Sequence, residues 1–166
     1  MPLLIALLAT AAPLFAMASE RWGGLNPCEL CLWQRWPYWI GAALALLALW
    51  LPRRWLLTLA GIAVLASGAF AVVHLGVEAH WWPSPFPSCA APTAGNARSV
   101  DEMLAGMAAA PSKPCDEPTY LIPGLPVSMA GMNLIYALVV GGLALWAARR
   151  GRPRRVQFSS SASQYR

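Results

Sequence analysis

The sequence predicts an all-α membrane protein: a four-transmembrane-helix bundle with a long extracytoplasmic loop between the third and fourth helices. Three observations predict it. Of 166 residues, 58% are hydrophobic and only 11% are charged, where a soluble domain carries about a quarter charged residues. The apolar residues gather in four runs, each near the roughly 20 residues that cross about 30 Å of hydrocarbon. The charges are also segregated, basic to one side of those runs and acidic to the other.

The first span is read over residues 2–18. Ala16-Met17-Ala18 before Ser19 resembles a signal-peptidase site, but no basic segment precedes it, so the run reads as a retained helix rather than a cleaved signal. The second span covers 33–51, with Gln34 and Arg35 at its leading end. Pro52-Arg53-Arg54 alone links it to the third, over 55–73, which only Thr58 and Ser67 interrupt. The fourth covers 127–148, with Ser128 and Asn133 near its start. Residues 1–148 thus form one membrane domain, with outer loops at 19–32 and 74–126. Residues 149–166 read as a basic, disordered cytoplasmic tail. Trp22, Trp33, Trp36, Trp50, Trp55, Trp81, Trp82 and Trp146 fall near span ends, as an interfacial aromatic belt requires.

Orientation follows from arginine. Arg53, Arg54 and the tail (Arg149, Arg150, Arg152, Arg154, Arg155, Arg166) share one side of a four-span chain, which the positive-inside rule makes cytoplasmic. Both termini then lie inside. All seven acidic residues (Glu20, Glu29, Glu78, Asp101, Glu102, Asp116, Glu117) and all four cysteines fall outside or at that boundary. The net charge of +5 comes largely from the tail, whose arginines form no folded face interleaved with aromatics, so nucleic-acid binding is excluded.

Asn26-Pro27-Cys28-Glu29-Leu30-Cys31 reads as a helix start, with Asn26 as N-cap and Pro27 at the first helical position. Cys28 and Cys31 then share the first turn, where free amides favour a thiolate. The spacing is that of dithiol oxidoreductases. A c-type haem would need His after the second cysteine, where Leu32 stands. A four-cysteine zinc site would need a second close pair, but Cys89 and Cys115 are 26 residues apart, so no metal is expected. Arg35 lies one helical turn after Cys31. A charge at the membrane edge needs a reason. Stabilising a Cys31 thiolate beside a lipid-soluble electron acceptor, such as a quinone, is the reason that fits; snorkelling to the interface is the bland one.

The outer segment is rich in proline, and a Cys89–Cys115 disulfide there reads either as a structural staple or as an exposed bond open to attack by a partner thiolate. Between those cysteines, residues 99–110 fit a short amphipathic helix on the membrane surface. His74, Glu78 and His80 cluster at the end of the third span. Interfacial hydrogen bonding is preferred to a metal site there, and a quinone contact by His74 is the weaker functional reading.

Cys28-x-x-Cys31-x-x-x-Arg35, then Pro83-Ser84-Pro85-Phe86-x-x-Cys89, then Cys115, resembles the DsbB family of disulfide bond formation proteins from the first span to the fourth. The resemblance implies a bacterial inner-membrane enzyme with its cysteines in the periplasm. It would reoxidise a periplasmic DsbA-like thioredoxin-fold protein and pass the electrons to ubiquinone or menaquinone. By motif, the partner would attack Cys89, paired with Cys115. Cys28–Cys31 would regenerate that pair, with Cys31 nearest the quinone and Arg35 assisting. Aligning on the Pro-Ser-Pro-Phe stretch puts Gly76, two residues from His74, where some members have a quinone-side histidine. Vitamin K epoxide reductase-like enzymes couple cysteines to quinone too, but their C-x-x-C follows the loop cysteines, and here it comes first. A membrane scaffold with two structural disulfides is the reading from another class.

Overall fold

The computed structural model describes residues 1–51, 53–86, 89, 113–122 and 124–150. The described residues are helical, with no strand among them. Five helices follow in order: α1 (Pro2–Gly23), α2 (Glu29–Trp33), α3 (Trp36–Leu47), α4 (Arg53–Glu78) and α5 (Met129–Arg150). The expected surface helix over 99–110 and the tail from 151 lie outside the described residues.

Pro2 at the start of α1 loses nothing, because the first helical amides have no partner within the helix. The helix ends at Gly24, whose φ of 64° turns the chain left-handed so that its N–H returns to the Ser19 carbonyl. Among the described residues three helices are long and apolar enough to cross a membrane: α1, α4 from Arg54, and α5. Their outward faces carry Leu3, Leu7, Phe15, Leu59, Ile62, Ile135, Leu138 and Val139, all exposed in the isolated chain. So much unpartnered apolar surface suits lipid rather than water.

The second expected span is where the structure differs. Residues 33–51 do not form one long helix. α3 has only 12 residues, and a turn at Gln34 and Arg35 separates it from α2. The cause is Pro37, which has no N–H to give the Trp33 carbonyl. The Tyr38 amide bonds back to Arg35 rather than to Gln34. The Gln34 carbonyl, freed from the helix, instead accepts the Ser67 hydroxyl at 2.7 Å. Backbone bonds from Ala48, Leu49, Trp50 and Leu51 carry helical turns on past α3.

α4 is the centre of the assembly, packing on α5 along one side and on α3 along the other, and α1 packs on α3. Close approach of α4 and α5 depends on missing side chains. A Cβ at Gly61 would meet the Gly141 carbonyl at 3.0 Å, and one at Gly141 would meet Leu65 at 2.7 Å. Such small-residue contacts suit lipid, where packing rather than water exclusion drives association.

The core falls into three layers. At one end Ile5, Ala45, Leu57 and Ala144 pack together. Ala9, Tyr38, Val64 and Val140 form the middle. At the other end Leu30 and Val77 enclose Cys28, Cys89 and Cys115, with Cys31 and Phe86 against them. Helix direction puts the start of α4 and the Arg149-Arg150 end of α5 far from that cysteine end.

Candidate dithiol and disulfide centre

The helix break aims side chains inward that an unbroken helix would not. Cys28, rather than Asn26, is the N-cap of α2, and its sulfur accepts from the Cys31 amide at 3.4 Å. Cys28 and Cys31 hold free thiols with their sulfurs 3.0 Å apart. Cys89 and Cys115 are joined as a disulfide. All four cysteines share one cluster.

The outer cysteines correct one expectation. An exposed bond is one of the two readings of the proline-rich segment, yet Cys89 is only 2% exposed and Cys115 fully buried. Phe86 stacks on Trp33 with ring centres 5.8 Å apart and folds the segment back over α2. Burial of a large apolar ring outweighs the extension that prolines favour locally.

Behind Cys28 runs a buried polar chain. His74 Nε2 is 3.5 Å from Cys28 Sγ, and His74 Nδ1 is 3.0 Å from Gln34 Nε2. Gln34 Oε1 accepts from Asn133 Nδ2 at 2.8 Å; the same amide nitrogen reaches Ser67 Oγ at 3.1 Å. Asn133 Oδ1 accepts the Tyr38 hydroxyl at 2.8 Å. Because the Gln34 amide donates to Nδ1, the remaining imidazole proton sits on Nε2, facing the sulfur. Glu78, one turn after His74, lies 3.8 Å from Nε2 and accepts the Ser128 hydroxyl at 2.6 Å. His80 takes no part: its φ of 56° turns it out of the helix, exposed.

These contacts decide which sulfur carries charge. The Cys31 thiol donates to an ionised Cys28, and this holds Cys28 far below the ordinary thiol range, down to about 4. Burial opposes the shift, and His74 and the Cys31 amide reinforce it. The Cys31 thiol is pushed up, chiefly because its proton is held in that bond. The thiolate of the reduced pair is therefore Cys28, where the sequence suggested Cys31. A thiolate persists while pH stays above its pKa. Reduced chain carrying Cys89→Ser and Cys115→Ser should thus keep one thiolate's ultraviolet absorbance down to about pH 5, where an ordinary thiol has lost it below about pH 8.5. His74→Ala should move that midpoint upward. A midpoint near 8 in the parent would mean that these donors do not hold the charge.

Cys31 faces the other way, into a cavity of about 360 Å³ between α1, the helix break and α5. Gln34, Arg35, Tyr38 and Asn133 supply its polar wall, while Cys28 and His74 do not line it. The Arg35 guanidinium makes a two-point ion pair with Glu20 of α1, also on that wall. Arg35 Nε is buried and has no hydrogen-bond partner among the described residues. An orphaned donor on an apolar wall favours a ligand with an acceptor there.

The structure thus gathers Cys28, Cys31, His74, Cys89 and Cys115, and sets Arg35 with Cys31 on the lining of one cavity. Sequence reading passed over Glu20, Tyr38 and Ser67 as partners. Gln34, Ser67 and Asn133 did carry a signal, since single polar residues inside apolar runs are expensive unless they meet one another. Comparison with known proteins adds one finding. A family model described as disulfide bond formation protein DsbB matches residues 1–147. No curated protein and no solved structure matches the chain.

Proposed function

The chain belongs to the DsbB family of membrane thiol oxidoreductases for disulfide bond formation, and from that premise we propose that it reoxidises a periplasmic DsbA-like thioredoxin-fold dithiol and passes the electrons to membrane quinone. One observation carries the reading: a reduced Cys28–Cys31 pair packs against the Cys89–Cys115 disulfide, and its Cys31 also lines a cavity on the other side. A disulfide-exchange centre and an electron-acceptor site are thereby one residue deep.

The residues fit a quinone head group. The cavity is apolar, and Arg35 Nε offers an unmet donor to a carbonyl oxygen beside the Cys31 sulfur. When bound, a quinone takes up two electrons and two protons. The protein's own steps balance as thiol exchange. A partner thiolate attacks Cys89 and breaks its bond to Cys115; the partner's second thiol closes the partner disulfide and leaves two thiols. Those reduce a Cys28–Cys31 disulfide, which restores Cys89–Cys115. Cys28 is then held as the thiolate by Cys31, His74 and the Cys31 amide, and Cys31 keeps its proton at the cavity wall. Ubiquinone and menaquinone share the carbonyl chemistry used here. Since Cys89 is buried, the outer segment must open for the partner to reach it.

The proposal includes four crossings in the bacterial inner membrane, both termini cytoplasmic. Helical turns joined across the break run from Trp33 to Leu51, about 28 Å at 1.5 Å per residue, close to the roughly 30 Å of hydrocarbon. Arg53, Arg54, Arg149 and Arg150 then share the inner face, where Arg150 stacks over Trp146 at 4.2 Å.

The test is to supply the purified chain with a reduced thioredoxin-fold protein and a quinone, and to follow quinone absorbance. Quinone reduction should require both the dithiol protein and the chain, and Cys89→Ser should abolish it. Dithiol oxidation that proceeds without consuming quinone would leave a thiol exchanger with another acceptor.

A further inference from the structure

We propose that the reduced Cys28–Cys31 pair, together with His74, is a binding site for a soft divalent cation of the zinc type, present only while the pair is reduced. Two thiols and an imidazole are the donors such an ion prefers. Their three ligand atoms lie within 4.8 Å of one another. Tetrahedral zinc, with bonds of about 2.3 Å to sulfur and 2.0 Å to nitrogen, sets sulfur and nitrogen about 3.5 Å apart and two sulfurs about 3.8 Å apart. Cys28 Sγ and His74 Nε2 already stand at 3.5 Å. The sulfurs, at 3.0 Å, need only separate by less than 1 Å.

The surroundings suit the ion as well. Cys28 and His74 are 4% and 3% exposed, so competing water is scarce. Glu78, 3.8 Å from His74 Nε2, stands ready as fourth ligand or as acceptor for a bound water. Metal-bound histidine must carry its proton on the far nitrogen and give it to an acceptor. Gln34 supplies one: turned end for end, its amide oxygen faces Nδ1 and its nitrogen faces Asn133, whose amide turns likewise. The buried chain thus satisfies His74 in either tautomer.

The sequence argument against zinc counted cysteines only, and the third ligand comes from α4, 43 residues beyond Cys31 in the chain. Binding forms two Zn–S bonds and one Zn–N bond, releases the one proton that the thiol–thiolate pair still holds on Cys31, and moves no electrons. A disulfide needs the same two sulfurs, so metal and disulfide exclude each other. The ion would lock the centre in its reduced state whenever it outcompetes the acceptor. The proposal requires only the thiols and the imidazole, so it stands or falls apart from the quinone reading.

The test uses full-length chain in detergent with Cys89→Ser and Cys115→Ser, which leaves one pair able to take metal. After phosphine reduction and removal of the phosphine, Co(II) is titrated in and then displaced by zinc. One cobalt per chain should bind, with thiolate-to-cobalt charge-transfer absorption. Oxidising Cys28–Cys31 should abolish that absorption. His74→Ala should weaken binding at least about tenfold. In the unaltered reduced chain, zinc should protect Cys28 and Cys31 from alkylation as read by peptide mass mapping. Absence of the charge-transfer band in protein of unchanged helicity overturns the proposal. So does binding that survives oxidation, or binding indifferent to His74→Ala.

Discussion

Cys31→Ser should stop steady-state turnover while leaving one round of exchange intact. The hydroxyl can still donate to the Cys28 thiolate, and it occupies nearly the same volume on the cavity wall, so the fold should persist. It cannot form a disulfide. A partner dithiol can therefore reduce Cys89–Cys115 once, and the two electrons then have nowhere to go. Steady-state dithiol oxidation should fall on the order of a thousandfold or more, as for loss of an essential nucleophile. Rapid mixing should still show a burst of one partner disulfide per chain. Cys89→Ser should lose the burst as well, which separates an entry defect from an exit defect. Sustained turnover in Cys31→Ser would remove the inner pair from the pathway.

Why was the cysteine end legible in the sequence while its wiring was not? Helix-forming apolar runs and segregated arginines are local properties, and α1, α4 and α5 follow them closely. The C-x-x-C spacing likewise fixes two thiols in one turn whatever surrounds it. The break at Gln34 was visible only as a proline three positions later, and its effect depends on Ser67, a residue of another helix, accepting the role of partner to the freed carbonyl. Which thiol is ionised was hidden for the same reason. Arg35 is near Cys31 in sequence, but Glu20 of α1 claims its guanidinium, whereas His74 arrives at Cys28 from α4. Cys89 is buried in a cluster that has Phe86 against it, and Phe86 stacks on Trp33 of α2. Contacts across 15 to 53 residues of chain leave no periodicity to read.

Arg35→Gln should slow quinone-dependent turnover about five- to hundredfold while sparing exchange at Cys89–Cys115. The guanidinium has two separable jobs in the structure. Its terminal nitrogens pair with Glu20, which ties the helix break to α1. Its Nε, buried and unpartnered, is the donor left for a ligand in the cavity. Glutamine can keep a hydrogen bond to Glu20 but cannot present a charged donor from the same place. Leaving a buried acceptor without its donor costs about 1–3 kcal/mol, which gives the fold-change through about 1.4 kcal/mol per decade. Lysine preserves charge but has no Nε–H beside a fixed plane, so Arg35→Lys should fall between wild type and Arg35→Gln. Glu20→Gln should act differently. It leaves Nε in place and loosens only its anchor, so quinone affinity should weaken less than in Arg35→Gln. Stopped-flow measurement with quinone varied resolves these outcomes: Arg35→Gln should raise the apparent quinone KM or lower the limiting rate, with the partner-exchange burst unchanged. Quinone kinetics in Arg35→Gln equal to wild type would reduce Arg35 to an anchor between α1 and the helix break, and would take its Nε out of the mechanism.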